Sequence, residues 1–144
     1  MTTPSSGPSS DPSSGEVPIA SSDDVVRVRQ LVRTAASEAG LSLVDQTKIV
    51  TAASELARNT LVHGGGGSVR VERTVDGRGR TGLRIVFTDE GPGIPDVEQA
   101  MTAGWTTGDG LGLGLSGARR LTDEFELESG PGKGTRVAVV KWIH

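Results

Sequence analysis

The sequence predicts an α+β fold, a two-layer sandwich with helices on one face of a mostly antiparallel sheet. Three observations predict it. Two segments of helical periodicity come first, two pairs of alternating segments follow, and a short helical stretch separates those pairs, giving the order α-α-β-β-loop-α-β-β. The chain has 144 residues, enough for one domain with a tail. Aromatic residues make up only 3% and tyrosine is absent, so the core must be built from Val, Leu, Ile and Ala.

The elements follow in order. Residues 1–18 hold six serines, four prolines and two glycines and no Lys or Arg. Such a stretch buries too little apolar surface to offset its ordering entropy and reads as a disordered tail ahead of a domain at 19–144. Ser21 with Asp24 has the form of a capping box with Asp in place of Glu. Val25, Val28, Val32, Ala35, Ala36 and Ala39 then recur at helical spacing, and Gly40 stops the helix. Ser42 with Asp45 opens a second helix. Its buried side is Ile49, Ala53, Leu56, Ala57 and Thr60, and Gly64 to Gly67 end it. Val69 and Val71 alternate with charges, Asp76-Gly77-Arg78-Gly79 turns the chain, and Leu83, Ile85 and Phe87 alternate again. A third helix is expected around Leu115 to Leu121. Phe125 to Glu128 and Thr135 to Trp142 form a closing hairpin across Gly130 to Gly134.

Composition also excludes. There is no cysteine, hence no disulfide, thiolate metal site or cysteine nucleophile. No apolar run approaches the ~20 residues of a membrane helix, and the N-terminus lacks a secretory pattern, so no membrane is expected as a partner and the cytosol is the expected compartment. The net charge of −3 does not favour nucleic acid.

Glycines and prolines mark the chemistry. Beyond the tail they cluster at 64–67, 91–95, 104–117 and 130–134. Gly110-Leu111-Gly112-Leu113-Gly114 runs into a predicted helix, a form in which consecutive backbone N–H groups cradle phosphate oxygens. The Rossmann fingerprint needs a strand just before its glycine turn, and a P-loop needs Lys-Ser/Thr after it; neither is present. Glu55 and Asn59, four apart, share a helix face. A carboxylate there can take a proton from an attacking hydroxyl, and a carboxamide oxygen can ligate Mg²⁺; the same spacing also fits the exposed polar face of an amphipathic helix. Asp89, at a strand end before Gly91 and Gly93, fits a turn residue or an acceptor for an exocyclic amine such as that of adenine.

Taken together, Glu55-Leu56-Ala57-Arg58-Asn59, Asp89-Glu90-Gly91-Pro92-Gly93, the 110–114 glycine run and Gly132-Lys133-Gly134-Thr135 resemble, in order and spacing, the four ATP-binding boxes of the GHKL superfamily. Within it, residues 19–144 most resemble the anti-sigma-type serine/threonine kinases of bacterial partner-switching systems, on the stressosome switch-kinase (RsbT-type) branch. Ile49 to Asn59, Thr106-Thr107, Leu121 to Phe125 and Lys141-Trp142 carry that likeness. The resemblance implies the Bergerat ATP-binding fold. It implies Glu55 as general base, Asn59 as ligand of Mg²⁺, and Asp89 on the adenine amine. It implies that Gly91 and Gly93 shape the base pocket, that Thr106, Thr107, Gly110, Gly112 and Gly114 hold the phosphates of ATP under a lid, and that Gly132, Gly134 and Thr135 close the adenine end. The substrate implied is a Ser or Thr on a STAS-domain antagonist, with a phosphatase activator or sigma factor as a further partner.

Two features qualify the transfer. Residues 90–118 contain no Lys or Arg, although phosphoryl transfer needs positive charge at the γ-phosphate. Charge must come from Mg²⁺, Arg58, Arg119, Lys133 or a partner, which predicts a slow kinase in isolation. His63 reads as a helix C-terminal residue without a chemical role. The competing readings are an anti-sigma factor that chiefly sequesters its target, and a detached histidine-kinase catalytic domain. The chain lacks the phospho-accepting helical pair of the latter, and a gyrase-type ATPase would need a transducer domain.

Overall fold

The computed structural model describes residues 16–94, 101 and 114–143. Strand β1 is Glu16–Ile19, helix α1 Ser22–Ala39, helix α2 Leu43–Val62, strands β2 and β3 Gly67–Val75 and Thr81–Asp89, helix α3 Gly114–Arg120, and strands β4 and β5 Glu124–Ser129 and Thr135–Trp142. The five strands form one sheet in the order β1-β2-β3-β5-β4. Every neighbouring pair is antiparallel, so the predicted α+β architecture stands.

The sheet's alternation sets the core. Val69, Val71, Leu83, Ile85, Phe87, Val137 and Val139 face the helices and meet Val28, Val32, Ile49, Ala53 and Leu56 in one buried cluster. Phe87 is the largest fully buried side chain in it. The remaining buried positions are aliphatic, as an aromatic-poor chain requires.

The helix termini follow local chemistry. Ser42 Oγ accepts the Asp45 N–H at 3.1 Å, as its spacing predicts. At α1, Ser21 holds the N-cap position but its side chain makes no capping bond. Buried Asp24 instead accepts the Ala20 N–H at 2.8 Å and the Arg27 guanidinium at 2.7 Å. The carboxylate thus fastens the chain entering α1, and neither half of the predicted box forms. Gly40, at φ +94°, ends α1 in the left-handed conformation.

One correction concerns the tail. Composition places residues 16–18 in it, yet Glu16 to Ile19 pair with Arg70 to Gly67 of β2. Ile19 is buried in the core and Val17 packs against that core half-buried, so these two residues anchor the strand. Pro18 is tolerated because β1 is an edge strand. The other edge is β4, whose Glu124, Glu126 and Glu128 are exposed on the face away from the helices while Phe125 and Leu127 pack against the core.

Antiparallel pairing gives the sheet two distinct ends. The starts of β2 and β5 and the finishes of β3 and β4 share one end; the β2–β3 turn, the start of β4 and the finish of β5 share the other. No helix among the described residues is long and apolar enough to cross a membrane.

Candidate functional site

The site is built at the first of those ends. Asp89 is the last residue of β3 and pairs with Gly67 on one side and Thr135 on the other. Its carboxylate is half-buried. Oδ1 accepts the Gly91 N–H at 2.9 Å, while Oδ2 receives no donor among the described residues. A carboxylate oxygen held beside a pocket without a donor is an acceptor waiting for one.

Close approach of backbone frames this carboxylate. Gly64, just past the end of α2, lies against it: a Cβ there would stand 2.5 Å from Oδ2. That contact brings the C-terminal end of α2 to the base of β3. Gly134, at φ +73°, runs beneath Asp89, and a Cβ on it would strike the Asp89 carbonyl and lie 3.0 Å from Glu90 Cα. Only glycine meets both demands. An open cavity of about 320 Å³ at this end of the sheet is lined by Asp89, Ser129, Lys133 and Thr135 together with Thr88, Glu128 and Arg136.

The loop after Asp89 is tied to the β4–β5 turn. The Gly132 N–H donates to the Pro92 carbonyl at 2.7 Å, the Ile94 N–H donates to Ser129 Oγ at 2.8 Å, and Gly93 turns at φ +81° against Gly130. The structure therefore brings Asp89, Gly91, Gly93, Gly132, Gly134 and Thr135 into one neighbourhood, although they come from two separate stretches of chain.

Glu55 and Asn59 stand on one flank of α2, beside the buried Ala52 and Leu56 and partly exposed themselves. Neither side chain makes a hydrogen bond or ion pair among the described residues. The Asn59 carbonyl accepts the N–H groups of His63 and Gly64 at 2.9 and 3.3 Å. One turn thus separates Asn59 from the residue that touches Asp89. His63 is the C-cap of α2, as expected. Gly114 begins α3, which runs away from this end of the sheet toward the start of β4. Thr106, Thr107, Gly110 and Gly112 lie outside the described residues.

Two contributors escape sequence reasoning. Gly64 reads as a helix terminator, and its contact with Asp89 needs the sheet register to become visible. Ser129 sits in a strand that alternates with glutamates, and its position beside Thr135 is the only sequence hint of a shared role.

Comparison with known proteins gives the family and the fold. Residues 44–143 match the family described as histidine kinase-, DNA gyrase B-, and HSP90-like ATPase. The serine/threonine-protein kinase RsbT of Bacillus subtilis (strain 168) is 48% identical over 120 residues, covering 83% of this chain and 90% of that one. An anti-sigma F factor of Thermoanaerobacter sp. (strain X514) is 34% identical over 121 residues, covering 80% of this chain and 82% of its own. Among solved structures, the RsbU and RsbW domains of Rv1364c from Mycobacterium tuberculosis superpose with a TM-score of 0.57 at 22% identity, covering 88% of this chain and 32% of that one, a likeness of fold alone. On the family match over residues 44–143 and these identities over most of its length, this chain belongs to the histidine kinase-, DNA gyrase B- and HSP90-like ATPase family, in the branch that holds the RsbT-type serine/threonine kinases and the anti-sigma F factors.

Proposed function

We propose that the chain is a serine/threonine kinase that transfers the γ-phosphoryl group of ATP to a STAS-domain antagonist in a cytoplasmic partner-switching pathway governing sigma-factor activity. The observation that carries the nucleotide reading is the half-buried Asp89 carboxylate, with Oδ1 fixed by the Gly91 N–H and Oδ2 without a donor among the described residues. An exocyclic adenine amine supplies the missing donor. Gly91, Gly93, Gly132, Gly134 and Thr135 form the walls around the base, and Thr106, Thr107 and the 110–114 glycine run hold the phosphates.

Glu55 acts as general base. As the substrate Ser or Thr oxygen bonds to the γ-phosphorus, its proton passes to the Glu55 carboxylate, the bond to the β–γ bridging oxygen breaks, and ADP leaves with that electron pair. The Asn59 carboxamide oxygen is a hard donor with no partner among the described residues, which fits it to hold Mg²⁺; the ion would supply positive charge at the phosphate oxygens when bound. Arg58, Arg119 and Lys133 are exposed and make no ion pair among the described residues. A docked partner completes the positive charge that residues 90–118 lack, so the isolated chain turns over slowly.

The test is γ-labelled ATP with Mg²⁺, the purified chain and an extract of its host, with Glu55→Gln beside it. An acid-stable label on a small host protein, absent with the variant, is the expected result. The 34% identity to an anti-sigma F factor supports a second reading, nucleotide-gated sequestration of a sigma factor. ATP binding without any labelled protein favours that reading and overturns the first. Fast ATP hydrolysis by the chain alone contradicts the partner requirement.

A further inference from the structure

The loop after Asp89 and the turn between β4 and β5 meet through one hydroxyl. Ser129 Oγ lies 2.8 Å from the Ile94 nitrogen, 35 residues away in sequence, 2.9 Å from the Gly134 carbonyl oxygen and 2.9 Å from Thr135 Oγ1. A serine hydroxyl has one hydrogen and two acceptor sites. The Ile94 N–H can only donate and the Gly134 carbonyl can only accept. Ser129 therefore gives its proton to Gly134, and Thr135 Oγ1 donates to Ser129. These three bonds use its full capacity.

The segments it joins are those that hold Asp89. Gly91, whose N–H fixes Asp89 Oδ1, lies three residues before Ile94. Gly134 passes beneath the Asp89 carbonyl, and Thr135 is the β5 partner of Asp89. Only one other hydrogen bond among the described residues, Gly132 N–H to the Pro92 carbonyl, ties loop to turn. We infer that Ser129 is a positioning residue for base recognition: its hydroxyl locks the loop after Asp89 onto the β4–β5 turn and so fixes the carboxylate that receives the adenine amine. The inference rests on the ATP reading proposed above. Ser129 Oγ spends its bonds on Ile94, Gly134 and Thr135 and none on Glu55, which stands on α2, so its effect falls on nucleotide affinity rather than on transfer.

The experiment is a double-variant cycle on the full chain, reading the dissociation constant of Mg-ATP by titration for wild type, Ser129→Ala, Asp89→Asn and the double variant, with Ser129→Thr as rescue. Loss of two to three neutral hydrogen bonds in a partly solvated loop predicts about a tenfold weakening for Ser129→Ala. Because Ser129 acts through Asp89, the same change on the Asp89→Asn background costs less than about twofold, a non-additivity that a separate structural role would not produce. Ser129→Thr keeps the hydroxyl and stays within about threefold of wild type. Unchanged ATP affinity in Ser129→Ala overturns the inference. So does an equal loss on both backgrounds, or a Ser129→Thr variant as weak as Ser129→Ala. A wild-type chain that binds no ATP overturns the nucleotide reading itself, a result separable from the failure of Ser129 alone.

Discussion

The two ends of the sheet handle polar groups in opposite ways. At the end bearing Asp89, backbone passes close to backbone through glycine, and the Asp89 Oδ2, Glu55 and Asn59 side chains are left without internal partners among the described residues. At the other end, polar groups are engaged with one another. Buried Lys141 projects from the helix-facing side of β5 and reaches Asp123 at 3.1 Å and Asp45 at 3.5 Å, so β5, the start of β4 and the start of α2 are clamped together. Trp142 donates its indole N–H to Glu124 at 2.8 Å and its backbone N–H to Asp123 at 2.7 Å, and the Arg80 guanidinium lies 4.5 Å from the indole ring centroid. The difference teaches where to look for chemistry. Groups that have satisfied one another hold the domain together, and groups left open are available to a ligand.

Substitutions at the two ends should then separate activity from stability. The largest effect is expected at Glu55: Glu55→Gln should lower phosphoryl transfer by about 10²- to 10⁴-fold while leaving ATP affinity within about twofold, as read by labelled-ATP kinetics against equilibrium titration. Next, Asp89→Asn should weaken ATP binding by about 10- to 100-fold, since the amide turns a donor toward the adenine donor. Normal ATP affinity in that variant would remove the adenine assignment and erase the contrast between the ends.

At the opposite end, Lys141→Met should cost about 2 kcal/mol of stability. It leaves two partly covered carboxylates facing each other, and their residual exposure discounts the full buried-pair penalty. Urea denaturation should show a lower midpoint with an unchanged slope, and ATP affinity per folded molecule should hold. A loss of ATP binding there would show that the ends are coupled.

The smallest effect belongs to Asp76 in the β2–β3 turn. Desolvation raises its pKa, but the N–H groups of Arg80 and Arg78 and the Arg80 side chain outweigh that and hold it below the usual carboxylate value. With the folded value depressed, the stabilisation is present above the usual carboxylate range and is lost as pH falls through the folded value. Wild type should therefore melt above Asp76→Asn near neutrality, and the gap should close only at strongly acidic pH.

Most of the frame was legible because it rests on local pattern. Each residue predicted for the buried side of α2 is buried, and Gly40 stops α1 as expected. In β3 and β5 the predicted inward residues are buried, but Val86, Ala138, Val140 and Trp142 on the opposite face are buried as well. The hairpin at Asp76 follows from turn chemistry, with Asp76 Oδ1 accepting the N–H groups of Arg78 and Arg80, each at 2.9 Å. What stayed hidden depends on distant segments meeting. Strand β1 was invisible because two apolar residues, Val17 and Ile19, next to a serine-rich stretch are too short an alternation to signal a strand, and only their packing on the core reveals their role. The Asp24 bond to Ala20 defeats the capping-box reading because a side chain can select either of two adjacent N–H groups. Lys141 sits in a β5 alternation whose other members are Val137 and Val139, so its inward position is visible in hindsight. Its stabilisation there needs Asp45 and Asp123 from other elements. In the site, the pattern marked the boxes, but Ser129 and Gly64 act through contacts that only the folded register creates.

The exposed margin of β4 has a consequence for crowding. Two copies of this chain approaching edge to edge in antiparallel register about Glu126 would set Glu124 against Glu128 and Glu126 against its own counterpart, carboxylate facing carboxylate on one surface. Strand zippering along that border is disfavoured by like charge. On the partner-exchange function proposed above, a margin that refuses its own copies leaves the chain free to meet other proteins.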